Sequence, residues 1–227
     1  MARAPRVDVG DQIYHVINRA VGRLTIFKKP KDYAQFIMLM IEAKEMTGMR
    51  ILSFVIMPNH WHLQLYPHRD KDLSIFMHWL TNAHTRRVHT LTKTIGTGPL
   101  YQGRYKSFLT EDDTHLLGVL KYIERNPVRA KLAKKVEDWQ WGSAWIRQQG
   151  TSMQKTLLCE LPIPLPRNYR TWINTPDRED DLLTVRNCVN KGKPFGNDMW
   201  VEQMVDRHKL EGTQRPPGRP LQNIKTH

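Results

Sequence analysis

Residues 50–66, RILSFVIMPNHWHLQLY, constrain the fold more tightly than any other stretch of the chain. Two short runs rich in β-branched and aromatic residues flank Pro58-Asn59, a dipeptide with turn chemistry, so the spacing predicts two antiparallel strands joined tightly. What lies on either side limits how that hairpin can be covered. Residues 12–21 (QIYHVINRAV) alternate Ile13, His15 and Ile17 against Tyr14, Val16 and Asn18, the period of a strand. Residues 32–47 place Tyr33, Phe36, Ile37, Met40 and Ile41 at helical spacing before Gly48, and residues 70–91 do the same with Leu73, Phe76, Met77, Leu80 and His84. A Gly/Pro-rich connector at 94–99 lacks the residues of a phosphate-binding loop. It leads to an expected strand at 100–109 and a third helix from Thr110 to about Asn126, where Pro127 disfavours helical geometry in the residue before it. The order strand, helix, strand, strand, helix, strand, helix predicts an α+β fold of ferredoxin-like or RRM-like plan: an antiparallel sheet, helices on one face, and a polar face left open to ligands.

Composition narrows the partner. The chain has 35 Lys plus Arg against 22 Asp plus Glu, a net charge of +13; residues 1–150 hold +10 of it and residues 151–227 hold +3. A sequence pI near 9.9 favours a polyanion, and for a cytosolic protein that is usually nucleic acid. No apolar run approaches the roughly 18 to 20 residues of a bilayer span, so no membrane role is expected. The polar first twelve residues do not resemble a secretory signal, and the expected location is the cytoplasm. Cys159 and Cys188 are too few for a disulfide framework and form no CxxC pair.

Two groups of residues carry possible chemistry. In a strand, residues i and i+2 share a face, so His60 and His62 can present two imidazoles to one divalent cation while Trp61 turns into the core. The same pair also reads as two half-exposed polar residues. On the third helix Tyr122 and Asn126 stand one turn apart, with Arg129 continuing near that side. A phenol beside a metal-polarised phosphate can attack phosphorus and hold the product covalently. The plainer account has Tyr122 packing at the core edge and Asn126 capping the helix. His15, His78, His84 and His115 lack a partner at ligand spacing and are read as packing or surface residues.

MPNHWH, QGRYKSF, and KYIERNPVRAKL followed by EDWQWGS resemble the REP-associated tyrosine transposases, a branch of the single-tyrosine HUH nuclease superfamily; YHVINR and DYAQF fit the family's opening, and the likeness spans residues 10–150. The resemblance implies Tyr122 as nucleophile and His60, His62 and Asn126 as ligands of a divalent ion, Mg2+ or Mn2+. Asn126 stands where related insertion-sequence enzymes carry Gln, one methylene longer. The implied reaction is metal-dependent cleavage of single-stranded DNA beside a hairpin formed by a repetitive extragenic palindrome (REP), leaving a 5′-phosphotyrosine and a free 3′-hydroxyl. DNA contacts are expected from Arg19, Arg69, Arg86, Arg87, Arg104, Lys106, Arg125, Arg129 and Lys131, with Tyr105 and Tyr101 as stacking surfaces. The branch resembles monomers completed in cis, with a helix-swapped dimer as the alternative, working on the bacterial nucleoid.

Residues 1–150 are thus expected to form the catalytic domain. Residues 151–227 form an extension with helices near 176–190 and 197–210 and a basic tail, RPPGRP, that is disordered or folds only on binding. Two other functions fit the same residues: a catalytically idle protein that binds structured DNA hairpins, and a metal-dependent hydrolase of RNA or small phosphoesters.

Overall fold

The computed structural model describes residues 6–215, so RPPGRP lies outside the described residues except for Arg215. The first six elements run β1 (Ile13–Arg19), α1 (Pro30–Thr47), β2 (Arg50–Met57), β3 (His60–Tyr66), α2 (Asp72–Thr92) and β4 (Lys106–Thr110). They are followed by α3 (Thr114–Glu124), α4 (Asn126–Arg129), α5 (Ser143–Gln149), α6 (Ser152–Lys155), α7 (Tyr169–Asn174), α8 (Glu179–Lys191) and α9 (Asp198–His208). The strands pair in the order β2-β3-β1-β4 with every neighbour antiparallel, which is the ferredoxin-like arrangement.

The hairpin forms as its sequence requires. Met57 pairs with His60, so Pro58 and Asn59 make the whole turn, and the Pro58 carbonyl accepts from the amides of Ile26 and Phe27. One irregularity matters on β2: the register slips between Ile51 and Ser53, a bulge that turns both Leu52 and Ser53 toward the same side.

One face of the sheet, carrying Tyr14, Val16, Phe54, Ile56, Trp61, Leu63 and Leu65, packs against α1 and α2 through Phe36, Met40, Phe76, Met77 and Leu80 in a single apolar cluster. The other face was expected to stand open, and it does not. Leu116, Val119 and Ile123 of α3 lie over Ile13, Leu52, Val55 and Met57, and Val185 and Cys188 of α8 join them. Its polar residues face inward accordingly: Ser53 donates to Gln64 Oε1 at 2.9 Å, and Gln64 donates to the Leu116 carbonyl at 3.1 Å. The alternation of β1 places Ile13 and Ile17 on this side, and an Ile13 facing water would be a standing cost that packing against Leu116 of α3 removes.

Two boundaries differ from the sequence expectation. Residues 100–105 do not continue the ladder: Tyr101 makes an isolated bridge to Ala20, and Gln102, Gly103 and Arg104 bend away before β4 begins at Lys106. The third helix is capped by Asp113, whose carboxylate accepts from the His115 amide, because Thr110 is still paired with Ile13 in the sheet. It ends at Glu124, and Asn126 opens a separate turn with Pro127 in its first positions, where a missing N–H costs nothing.

After residue 150 the described residues pack onto the rest of the fold. Leu157, Met204 and Leu210 belong to the main core cluster, and the Phe195 amide and carbonyl bond to Leu109 and Glu111 beside β4. No helix of the described residues is long and apolar enough to cross a membrane.

Candidate active site

His60 and His62 project from the start of β3 on the side covered by α3, with ring centroids 5.1 Å apart. Each ring is held by its Nδ1. Asn59 donates its amide to the Arg23 carbonyl at 3.1 Å, which turns Oδ1 toward His60, and the His60 Nδ1–H donates to it at 2.6 Å. His62 Nδ1 lies 2.8 Å from His15 Nε2. Neither Nε2 has a hydrogen-bond partner among the described residues, so two anchored imidazoles present unengaged nitrogens, a donor set that fits a divalent cation.

Both rings are neutral at pH 7. Burial pushes His60 down to about 4, with help from the Arg19 guanidinium, which stands opposite it across the β1–β3 ladder. Burial also pushes His62 well below its ordinary value, reinforced by His15, His60, Arg129 and Arg19. His15 is held down to about 3 by burial alone. Neutral imidazoles are the ligating form.

Tyr122 meets these rings from α3. Its ring stands edge-on to His62 at 5.8 Å and to His15 at 6.1 Å between centroids, and the Arg129 guanidinium lies over it at 4.6 Å. The Tyr122 hydroxyl makes no hydrogen bond to the described residues. Tyr122 also lines a cavity of about 820 Å³ between α3 and the extension. Asn126 reaches the same end of α3, but its amide N–H groups cap the helix, donating to the Tyr122 carbonyl at 3.0 Å and the Ile123 carbonyl at 3.2 Å. Only its Oδ1 remains free of those contacts.

The position of Tyr122 is set from both sides by charge. Asp177, just before α8, accepts from Arg125 Nε and Arg129 Nη1 at 3.0 Å each, with Lys121 at 3.9 Å, and Arg129 also donates to the Tyr122 carbonyl. Glu124, fully buried, accepts from Ser143 Oγ, Arg147 and the Tyr169 hydroxyl. Both clusters depend on residues beyond 140 that spacing within the motifs does not reveal.

The expected DNA contacts separate into groups. Arg19, Arg104 and Lys106 line a cleft of about 300 Å³ beside His60, together with Asn18, Gln102 and Asn190. Arg125 is buried and its guanidinium is committed to Asp177 and the Ile173 carbonyl, and Arg129 is tied to Asp177 and Tyr122. Lys131 is exposed just past α4. Arg86 and Arg87 stand on α2, across the sheet from the histidines, and Arg69 lies beyond the far end of β3. Tyr105 and Tyr101 are both buried on the α1/α2 side, which removes them as stacking surfaces: Tyr101 bonds Trp61 and His84, and Tyr105 lies under the Arg6 guanidinium.

Of the four histidines set aside, His78 is exposed on α2 and His84 is packed in the core. His115 forms, with Glu111 and Asp113, a group whose ligand atoms lie within 4.8 Å of one another. Those carboxylates already cap α3 and hold Asn197, at the end of the helix remote from Tyr122. His15 alone joins the site. Its signal was present in the β1 alternation, but only the register, which pairs His15 with Gln64 and Ile17 with His62, brings it diagonally beside His62.

The chain belongs to the IS200-like transposase family, whose model matches residues 8–126 and so spans β1 through Asn126. Two transposases are among the solved structures that resemble it. A REP-associated tyrosine transposase bound to a REP hairpin shares 16% identity with a TM-score of 0.54, over 68% of this chain and 90% of that one, a likeness of fold. A putative transposase from Deinococcus radiodurans R1 shares 19% identity with a TM-score of 0.38, over 55% of this chain and 97% of that one. No curated protein matches the chain.

Proposed function

We propose that the chain is a metal-dependent single-stranded DNA endonuclease and strand transferase that acts at REP-type hairpins, with Tyr122 as its nucleophile. The observation that carries this reading is the edge-on approach of the Tyr122 ring, with an unbonded hydroxyl, to two neutral imidazoles anchored at Nδ1. His60 and His62 would hold Mg2+ or Mn2+, with the free Oδ1 of Asn126 as third ligand once its side chain turns from the helix end. A divalent ion there supplies Lewis-acid polarisation of the scissile phosphate.

The chain's own residues do the rest. The Tyr122 oxygen bonds to phosphorus as the P–O3′ bond breaks; the phenolic proton passes to water and the departing 3′ oxygen takes one up. The product is a 5′-phosphotyrosine and a free 3′-hydroxyl, so the phosphodiester energy is kept for rejoining. Arg129 over the Tyr122 ring favours developing phenolate charge, and the cleft of Arg19, Arg104 and Lys106 takes the phosphates of the strand next to His60. The catalytic unit lies within residues 1–150, and Tyr169 and Asp177 of the extension brace its tyrosine helix in cis. On this reading the protein works as a monomer on DNA in the bacterial cytoplasm.

A denaturing gel tests the proposal directly, using single-stranded oligonucleotides with REP-type hairpins and Mg2+ or Mn2+. Wild type should form a metal-dependent protein–DNA adduct, and Tyr122→Phe should lose it by at least about 1,000-fold while binding the hairpin unchanged. An adduct that persists in Tyr122→Phe sinks the nucleophile, and binding without cutting in every metal identifies a hairpin-binding regulator instead.

A further inference from the structure

We propose that His15 is the positioning residue of His62: its Nε2 accepts the His62 Nδ1 proton and so keeps the His62 Nε2 lone pair pointed at the metal. This rests on the reading that His60 and His62 hold the ion. At 2.8 Å, His15 Nε2 and His62 Nδ1 share one proton between them. Only two arrangements of neutral rings satisfy that contact. With the proton on His62 Nδ1, His62 Nε2 keeps a free lone pair and His15 carries its own proton on Nδ1. With the proton on His15 Nε2, His62 must carry its proton on Nε2 and cannot ligate. The identity of His15 therefore governs whether its neighbour can bind an ion.

Packing does not explain a histidine at this position. His15 is completely buried against Phe108, at 4.8 Å between ring centroids, and its Nδ1 has no hydrogen-bond partner among the described residues. A Phe or Leu would fill the space on β1 between Ile13 and Ile17 without an orphaned polar atom. The other ligand is treated the same way, since Asn59 Oδ1 accepts the His60 Nδ1 proton. Both rings thus have an acceptor behind them and a bare Nε2 in front, the outer-shell device that orients imidazole ligands.

The test is Mn2+ binding to the full-length protein, followed by the electron paramagnetic resonance of free Mn2+, for wild type, His15→Phe, His15→Gln and His60→Ala. His15→Phe keeps the ring shape and removes the acceptor, and it should weaken Mn2+ binding about 10- to 100-fold. His15→Gln restores a carbonyl acceptor in a poorer shape and should recover most of that loss; a purely structural role predicts the reverse order. If His15→Phe binds Mn2+ like wild type while His60→Ala does not, the proposal falls and the ligand assignment stands. If wild type itself takes up no Mn2+, both fall. Nitrogen NMR of the Zn2+-loaded wild type needs no variant: a proton on His15 Nδ1 supports the assignment, and one on His15 Nε2 overturns it.

Discussion

Trp61 and His62 are neighbours on β3 that point to opposite faces of the sheet, and each enters a polar chain buried among aromatic rings. Behind the sheet, Trp61 Nε1–H donates to the Tyr101 hydroxyl at 3.0 Å, and that hydroxyl donates to His84 Nδ1 at 2.6 Å. His84 in turn stacks on Phe27 and meets Phe36 edge-on. In front, His62 bonds His15 and meets Tyr122, yet the His62 Nε2 and the phenol are left without partners among the described residues. Burial and residue types are nearly the same on the two sides. What separates the two networks is whether their donors and acceptors are used up within the fold.

The contrast can be broken in order of size. Asp177→Ala removes the shared carboxylate of Arg125 and Arg129 on the front side, leaving buried cations unpaired, and should cost about 3 kcal/mol in urea unfolding. If the extension braces Tyr122 as proposed, adduct yield drops with it even where the protein remains folded. Tyr101→Phe cuts the rear chain at its centre and orphans both Trp61 Nε1 and His84 Nδ1. It should cost about 2 kcal/mol and leave Mn2+ binding untouched. His62→Asn should do the opposite, abolishing Mn2+ binding with a smaller effect on stability.

Acid sharpens the comparison further. Burial holds His84 at about 3 in the fold, below its ordinary 6.5, so the folded state stays neutral where the unfolded chain takes up a proton. That contribution to stability is complete above about pH 7 and is lost as pH falls toward 3. At pH 5 the loss amounts to about 2 kcal/mol, so between pH 7 and pH 5 the unfolding free energy from urea titration should fall by about that much more in wild type than in His84→Leu. The smallest effect belongs to the surface. Lys106→Ala, at the cleft beside His60, should weaken single-strand binding a few-fold and lower the salt slope by about one. Arg86→Ala, across the sheet, should change neither.

How far the sequence reaches is visible in the same two chains. The i, i+2 rule put His60 and His62 on one face, and helical spacing put Tyr122 and Asn126 on another. The motif likeness implies that they share one site. QGRYKSF carries no periodicity that says which side of the sheet Tyr101 and Tyr105 take; the bend at Gln102, Gly103 and Arg104 decides that. Arg125 and Arg129 look like free cations in KYIERNPVR, and they meet Asp177 only because the extension returns some fifty residues later to the end of α3.

Local rules therefore determined the elements, the hairpin at Pro58-Asn59, the facing of the HWH triplet and the order of strands and helices. These depend on contacts within a few residues, where side-chain size, turn chemistry and period 2 or 3.6 are sufficient. The tertiary structure alone decided that α3 closes the second face, that His15 stands behind His62, and that Asp177 and Glu124 hold the tyrosine helix in place. Each of those is a meeting of residues far apart in the chain, set by strand register and by the burial of apolar area on α3, and no local pattern encodes which distant partner arrives.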